Sequence, residues 1–442
     1  MGVISVALLY LGIRLWMFWP ARAGLGAAVF GDAGEYLRVA RLSLFSAQFS
    51  TEHKPVGYPL ILKVFGEWQE AVVWMQLLVS VASWLFLAAV IIGRVPTRFG
   101  SLAAGIVLLG FSCAWPVSQW DTVLLTESLS VSFFVILIGI GVLCAERPRR
   151  TRLACLFATA LAFSSLRDVN GVIAAVMLLL VAASLFRGLR PGVVAYIATA
   201  AATCMLLVVA TSSSSRWQVL IADQIDKRVM LDPVALAFFR ERGMPAHRDL
   251  SAVLYSDTRS PSVPFNAAAT LRRDPRLAYF LPWFMEHGNE TYKSYLLHNP
   301  AASIGVPTRR FPLILSDAGL DTYRASGFRA LPTVVEHLVY PSSGRNMILL
   351  ELSMGGFALL GVSRRIFTRS WVLPLGLMLS GLPLAIFVWD GEPSEVPRHA
   401  LLVGVGSRLG LWLGCFIIVA PVVSACRKPR SARANAGQAA VA

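Results

Sequence analysis

Gly31-Asp32-Ala33-Gly34-Glu35-Tyr36 lies between two apolar runs, residues 3 to 20 and 71 to 93, and is followed by Lys54-Pro55-Val56-Gly57-Tyr58-Pro59. Each run has about the 20 residues that crossing a hydrocarbon core requires. A charge at the bilayer centre costs roughly 3 kcal/mol even on the lenient insertion scale. Asp32 and Glu35 therefore stay ionised cheaply only if the segment between the runs lies just outside the bilayer. The reading is a membrane protein that holds acids at the membrane rim, a candidate reaction site facing the lipid surface.

Composition places the whole chain in that class. Of 442 residues, 56% are hydrophobic and 15% charged, against roughly 45 to 50% apolar in a soluble globular protein. The first run carries Arg14 and has neither a basic leading segment nor a small-residue cleavage site, so it reads as a retained span. Ten runs are candidate spans: roughly 3 to 20, 71 to 93, 101 to 118, 122 to 144, 153 to 166, 170 to 186, 193 to 211, 346 to 363, 371 to 389 and 400 to 425.

A net charge of +15 raises nucleic acid as a partner, and the placement of the cations argues against it. Taking every second loop from the first span onward collects Arg94 and Arg98; Arg147, Arg149, Arg150 and Arg152; Arg187 and Arg190; Arg364, Arg365 and Arg369; and Arg427, Lys428, Arg430 and Arg433. Only one acid, Glu146, shares that side. This is the asymmetry that orients membrane proteins, and with ten spans it puts both termini in the cytoplasm. The six cysteines, Cys113, Cys144, Cys155, Cys204, Cys415 and Cys426, sit in or at the ends of apolar runs without a C-x-x-C spacing. They read as small packing residues, not as disulfides or zinc ligands.

The expected architecture is an all-α polytopic membrane protein in four parts. Residues 1–211 form an N-terminal transmembrane module with its first outer loop at 21–70. Residues 212–345 form a small, mainly helical extracytoplasmic domain, within the ordinary size range of one. Residues 346–426 supply the C-terminal transmembrane helices, and 427–442 a disordered cytoplasmic tail. In the first outer loop, Glu35 to Phe45 sets Tyr36, Leu37, Ala40, Leu42 and Leu44 against Arg38 and Arg41, the pattern of a helix lying in the interface. Tyr58 to Trp68 reads as a second one.

Several outward residues have the chemistry of a transferase that works at the membrane surface. Asp32 reads as a general base, because a carboxylate near apolar walls titrates closer to neutrality; as a helix cap it would leave the Lys-Pro-x-Gly-Tyr-Pro stretch unexplained. Lys54, beside the rigid Pro55, is placed to hold a phosphate oxygen, or else to anchor the loop at the interface. Glu127, in Thr126-Glu127-Ser128-Leu129, lies about one turn inside an apolar run, where an acid is functional by default. Asp121 suits the start of that helix or a substrate contact. Arg167 reads as a partner of Asp168 or as a further phosphate ligand. Arg398 suits bidentate capture of a phosphate, and His399 reads as an interface residue or substrate contact rather than a zinc ligand. Glu35, Tyr36 and Tyr58 complete the substrate-binding candidates. Arg408 lies deep in the last run and needs a partner.

Taken together these residues resemble the GT-C superfamily of polyprenyl-phosphate-dependent glycosyltransferases, above all its dolichyl-phosphate-mannose-protein mannosyltransferase-like and aminoarabinose-transferase-like members. The resemblance rests on Asp32, Tyr36 and Lys54 to Pro59 in the first outer loop, on Thr126-Glu127-Ser128-Leu129, and loosely on Arg398-His399. It covers residues 1 to about 211 and 346 to 426. It implies a GT-C-like bundle of about ten transmembrane helices and an inverting transfer of a sugar from a polyprenyl-phosphate carrier to an extracytoplasmic acceptor, a cell-envelope glycan, lipid or protein. In that scheme Asp32 is the base, Glu127 a second acid, and Lys54, Arg398 and Arg167 the donor-phosphate ligands. Ala33 stands where the family commonly has a second acid next to the first, and His399 where Tyr is usual, so use of a divalent metal ion and the identity of the acceptor stay open. A transporter or flippase of lipid-linked sugars is the alternative, although no internal repeat supports it; a non-catalytic scaffold leaves the Asp32 and Lys54 cluster unexplained.

Overall fold

Glu127–Glu146 is the helix that the others surround. It is apolar on all sides and buried along nearly its whole length, as a helix enclosed by protein should be. Gln69–Ile92, Arg150–Ser164 and Asp168–Leu185 pack against it. Small residues let them approach: a side chain at Gly139 would come within 2.5 Å of the Phe86 ring, and one at Gly141 within 3.2 Å of Val181. The computed structural model describes residues 2–24, 31–46, 48–49, 55–66, 68–95, 97–185, 191–212, 216–245, 275–316, 323, 327–363, 366, 368–391 and 396–427. Among these the regular structure is helical throughout, with no strand.

Among the described residues seven helices are long and apolar enough to cross a membrane: Ile4–Ala21, Gln69–Ile92, Glu127–Glu146, Asp168–Leu185, Thr333–Ser363, Arg369–Gly391 and Leu401–Val423. An eighth is made if Arg98–Cys113 and Trp115–Thr122, bent by 59°, count as one. Two of the ten expected spans are helices of smaller reach. Arg150–Ser164 has 15 residues, fewer than the roughly 17 a span needs, and the apolar part of Pro191–Ser212 is Ala195–Val208. The chain is an all-α polytopic membrane protein.

The central helix also measures the distance between the two charged faces. At about 1.5 Å per residue its 20 residues set Glu127 and Glu146 about 30 Å apart, one hydrocarbon thickness. At the far end Glu146 is clasped by Arg94, Nε to Oε1 at 2.5 Å and Nη2 to Oε2 at 2.7 Å. Arg98, Arg147, Arg149, Arg150 and Arg152 lie at that same end, at or before helix starts.

Arg14, inside the first span, is 3% exposed and forms an ion pair with Asp121, also 3% exposed at its side chain. It donates further to the Ser112 carbonyl at 2.7 Å and the Ser80 hydroxyl at 3.2 Å, while Ser128 donates to the other Asp121 oxygen at 2.5 Å. The pair ties the first helix to the bend between Arg98–Cys113 and Trp115–Thr122. Arg408 finds its partners on the backbone, donating to the carbonyls of Pro341, Gly404 and Leu315, with the Tyr340 ring 4.1 Å away.

The two helices of the first outer loop are Gly31–Arg41 and Gly57–Val64. The first begins four residues ahead of the position its apolar spacing predicts, so that Asp32 lies within its first turn. Tyr36, Leu37 and Ala40 are buried and Arg38 and Arg41 exposed. Lys63 donates to the carbonyls of Ala40 and Leu42, both at 2.7 Å, and so caps the end of the first helix from the second.

Residues 216–245 and 275–302 share an apolar core of their own, built on Ile225, Phe239, Phe280, Trp283, Phe284 and Tyr292, whereas Phe311, Ile314, Leu315, Tyr323, Phe328 and Val339 join the core of the membrane bundle. Arg228 and Gln224 fasten the outer core to the bundle by donating to the carbonyls of Trp389 and Asp390 at 2.5 and 2.7 Å. Within it Asp226 is fully buried, and among the described residues neither of its carboxylate oxygens has a hydrogen-bond partner. Burial pushes its carboxyl from 3.8 up to about 6, with Lys227 opposing and Asp223 adding to the rise.

Two outcomes follow from the buried charges. Because the folded Asp226 holds its proton more tightly than the unfolded one, its contribution is neutral below about pH 4 and becomes destabilising, by about 3 kcal/mol, as pH rises to about 6 and beyond. Thermal unfolding of the detergent-solubilised protein should show Asp226→Asn more stable than wild type at pH 7.5, with the advantage gone at pH 4. Arg14→Met should cost about 3 to 5 kcal/mol by stranding Asp121, and Arg14→Met with Asp121→Leu should recover most of it in the same assay.

Candidate functional site

At the end of the bundle opposite the arginine-rich loops, four segments bring charged side chains together. Asp32 comes from the first turn of Gly31–Arg41, and Glu127 is the first residue of the central helix. Arg167 comes from the turn between Arg150–Ser164 and Asp168–Leu185, and Arg398 and His399 come from the short helix Val396–His399. A helix N-terminus carries partial positive charge, which favours the carboxylate of Glu127 there.

Arg398 is the joint. Its Nε donates to Glu127 Oε1 at 2.5 Å, its Nη2 meets Asp32 Oδ2 at 2.8 Å, and its Nη1 donates to the Tyr323 hydroxyl at 3.0 Å. The same Glu127 oxygen accepts from Arg167 Nη1 at 3.1 Å, and Arg167 Nη2 donates to His399 Nδ1 at 2.5 Å. Since a guanidinium only donates, His399 Nδ1 must accept, which selects the neutral ring with its proton on Nε2. Thr126 adds a longer contact to Glu127 Oε2 at 3.4 Å. The set holds two carboxylates and two guanidiniums, so charge is balanced within it.

Exposure divides the acids. Glu127 is fully enclosed and Arg398 4% exposed, whereas the Asp32 side chain is 33% exposed. A buried carboxylate between two guanidiniums sets geometry; a carboxylate held on one side and open on the other is able to take a proton from a bound molecule.

The remaining candidates lie around this set. Tyr36 and Tyr58 are buried and meet edge to face at 5.1 Å. Tyr58 donates to Gln76 Oε1 at 2.7 Å, and Gln76 in turn donates to the Val123 carbonyl at 2.9 Å. Burial, then the neighbouring Tyr36 and Glu127, hold the Tyr58 hydroxyl well above its usual range, so it acts as a neutral donor. Glu35 pairs with Arg38 of its own helix at 2.9 Å on the exposed face. Asp121 is held in the Arg14 network, and Arg167 reaches Glu127 and His399. Lys54 lies outside the described residues. Gly57, three positions on, donates its backbone N–H to the Ser165 carbonyl at 2.9 Å, and any side chain there would come within 2.7 Å of that oxygen. The first outer loop thus docks by backbone contact two residues from Arg167.

Sequence reasoning did not find Tyr323, Gln76 or Lys63. Tyr323 and Gln76 sit in local patterns that ordinary loops and helices share. Arg14 carried a usable signal, since an ionisable residue inside a span demands a buried partner. A divalent cation fits this set poorly, because both of its carboxylates already bond Arg398. Among the described residues no three His, Cys, Asp or Glu side chains gather as metal ligands.

No protein-family model matches the sequence, and no curated protein is similar enough in sequence to match. Among solved structures the chain is similar to the archaeal oligosaccharyltransferase AglB from Archaeoglobus fulgidus in complex with an inhibitory peptide and a dolichol-phosphate, at 11% identity and a TM-score of 0.47, over 94% of this chain and 50% of that one. The chain thus spans about half the length of the solved structure it matches.

The division by exposure predicts different stabilities for two isosteric substitutions. Glu127→Gln leaves two buried guanidiniums short of an anion and should cost about 3 to 5 kcal/mol, whereas Asp32→Asn leaves Arg398 paired with Glu127 and should cost less. Differential scanning fluorimetry of the two purified variants in one detergent checks the order.

Proposed function

We propose that this chain is a membrane glycosyltransferase that moves a sugar from a polyprenyl-phosphate carrier to an acceptor hydroxyl or amide on the extracytoplasmic side, with inversion at the anomeric carbon. The observation that carries the reading is the Arg398 joint, which presents a half-open Asp32 at the membrane rim against a buried Glu127. Arg94, Arg98 and the arginines from 147 to 152 lie at the other end, about 30 Å away by the rise of one helix, and cations of that kind face the cytoplasm. The site then faces outward, where lipid-linked sugars meet envelope acceptors.

In the proposed step Asp32 accepts the proton of the acceptor, whose oxygen or nitrogen bonds to the anomeric carbon. The bond from that carbon to the phosphate oxygen breaks at the same time, and its electron pair leaves on polyprenyl phosphate. Arg167 and Arg398, with Lys54 as a further cation, neutralise the charge that develops on the leaving phosphate. Glu127 fixes both guanidiniums so that they need not reorganise.

The assay is release of polyprenyl phosphate by purified protein from a panel of lipid-linked sugars, with and without envelope extracts as acceptor. Asp32→Asn should lower kcat by about 10²- to 10⁴-fold, the usual worth of a positioned base, while the fold survives as argued above. A variant as fast as wild type refutes Asp32 as the base. Transit of intact lipid-linked sugar across proteoliposomes, with no donor consumed, refutes the transferase and establishes the transporter.

A further inference from the structure

Between the outer core and the membrane bundle lies a cavity of about 590 Å³, inside the range of roughly 300 to 1,000 Å³ typical of small-molecule sites. Tyr292 and Tyr295 enter it from the outer core, Ile314 and Val396 from the bundle. It is distinct from the Asp32 cluster but shares an element with it. Val396 and Pro397 line the cavity, and the next two residues of the same short helix are Arg398 and His399.

The lining carries both signs of charge. Arg228 and Arg310 lie against the Trp389 ring, 4.1 and 5.4 Å from its centroid, and Arg228 also interacts with the Asp390 carboxylate. Lys227 pairs with Asp223 at 3.9 Å. Asp232 caps the helix Pro233–Glu241 through Oδ1, which accepts from the backbone N–H groups of Val234 at 2.9 Å and Ala235 at 3.5 Å, so its carboxylate is held in place. An anion admitted here meets Asp232 and Asp390, and a cation meets Arg228 and Arg310. Like charge therefore opposes either kind of ion, and the cavity favours a neutral guest.

That guest has to give hydrogen bonds as well as receive them. Carboxylates accept, whereas a phenol has a proton to donate. The Tyr292 hydroxyl is committed to the Asp390 carbonyl at 2.7 Å. Burial, then Asp232 and Asp390, hold the Tyr295 hydroxyl above its usual range, so it stays protonated beside those two acids. Hydroxyl groups on a neutral molecule answer both needs, and an apolar ring frame beneath them suits the rest of the lining, to which Leu231, Leu296 and Ile314 belong. A peptide fits less well. Strand addition needs a sheet edge, and the described residues contain no strand; a groove for an amphipathic helix is apolar, and two carboxylates interrupt this one.

We infer that this cavity binds a neutral saccharide, whose hydroxyls donate to Asp232 and Asp390 and accept from Tyr295. Resting on the transferase reading, this saccharide is the acceptor, seated next to Arg398 along the Val396–His399 helix.

Sugar-headed detergents would compete for such a site, so the full-length protein is placed in lipid nanodiscs and titrated by calorimetry. The neutral probes are maltotriose, mannotriose and arabinotriose. Trigalacturonic acid serves as an anionic trimer, the deacetylated glucosamine trimer as a cationic one, and N-acetyl-triglycine amide as a neutral peptide. At least one neutral trisaccharide should bind, and at least tenfold more tightly than either charged trimer or the peptide. Tyr295→Phe, which keeps the ring, should weaken it about fivefold, the worth of one neutral hydrogen bond. Asp232→Asn, which keeps the helix cap, should weaken it about tenfold. A charged trimer that binds as tightly overturns the neutral part of the inference, and a peptide that does so overturns the saccharide part. No binding by any of the three neutral trimers, or affinities equal to wild type in both variants, overturns the site. These readouts need no turnover, so failure of the transferase reading leaves them standing. In the transferase assay Tyr295→Phe should raise the KM for a neutral envelope glycan about fivefold; an unchanged KM overturns the acceptor assignment alone.

Discussion

One guanidinium, Arg398, holds together three parts of the chain that would otherwise have little reason to meet: the first outer loop through Asp32, the central helix through Glu127, and the 323 segment through Tyr323. In water such an ion pair is worth little. Within a membrane bundle the balance differs, because the desolvation of each group has already been borne by the fold, and losing a partner exposes the full penalty of the other. The cluster is therefore a requirement of the fold.

The same logic governs the other buried charges. Arg14 and Asp121 satisfy one another inside the apolar core, with three serine groups adding hydrogen bonds, and Arg408 donates to three backbone carbonyls. These networks leave Asp32 as the acid of the functional cluster that retains an open side. Support for it comes from plain backbone contacts: Lys63 caps its helix, and Gly57 lets the loop seat against Ser165.

The outer core adds a second feature. It is fastened to the bundle through Gln224, Arg228 and Tyr292, all directed at the Trp389–Asp390 carbonyls.

The amino-acid sequence by itself determined the class of the protein and the residues worth attention. Apolar runs of about 20 residues dictate helices in a membrane because every backbone amide there must be bonded internally. Asp32, Glu127, Arg167, Arg398 and His399 were legible because ionisable groups at span ends are costly and so conspicuous. Their partners were not. Asp32 and Arg398 lie on opposite ends of the chain, and no periodicity records which of several arginines reaches a given acid. Only tertiary packing decided that Asp121 belongs to Arg14, that Tyr36 and Tyr58 pack against each other, that Arg167 turns to Glu127 and His399, and that Tyr323 joins Arg398. Local spacing fixes which face of a helix a side chain occupies, whereas the partner across the interface depends on where another helix happens to cross it.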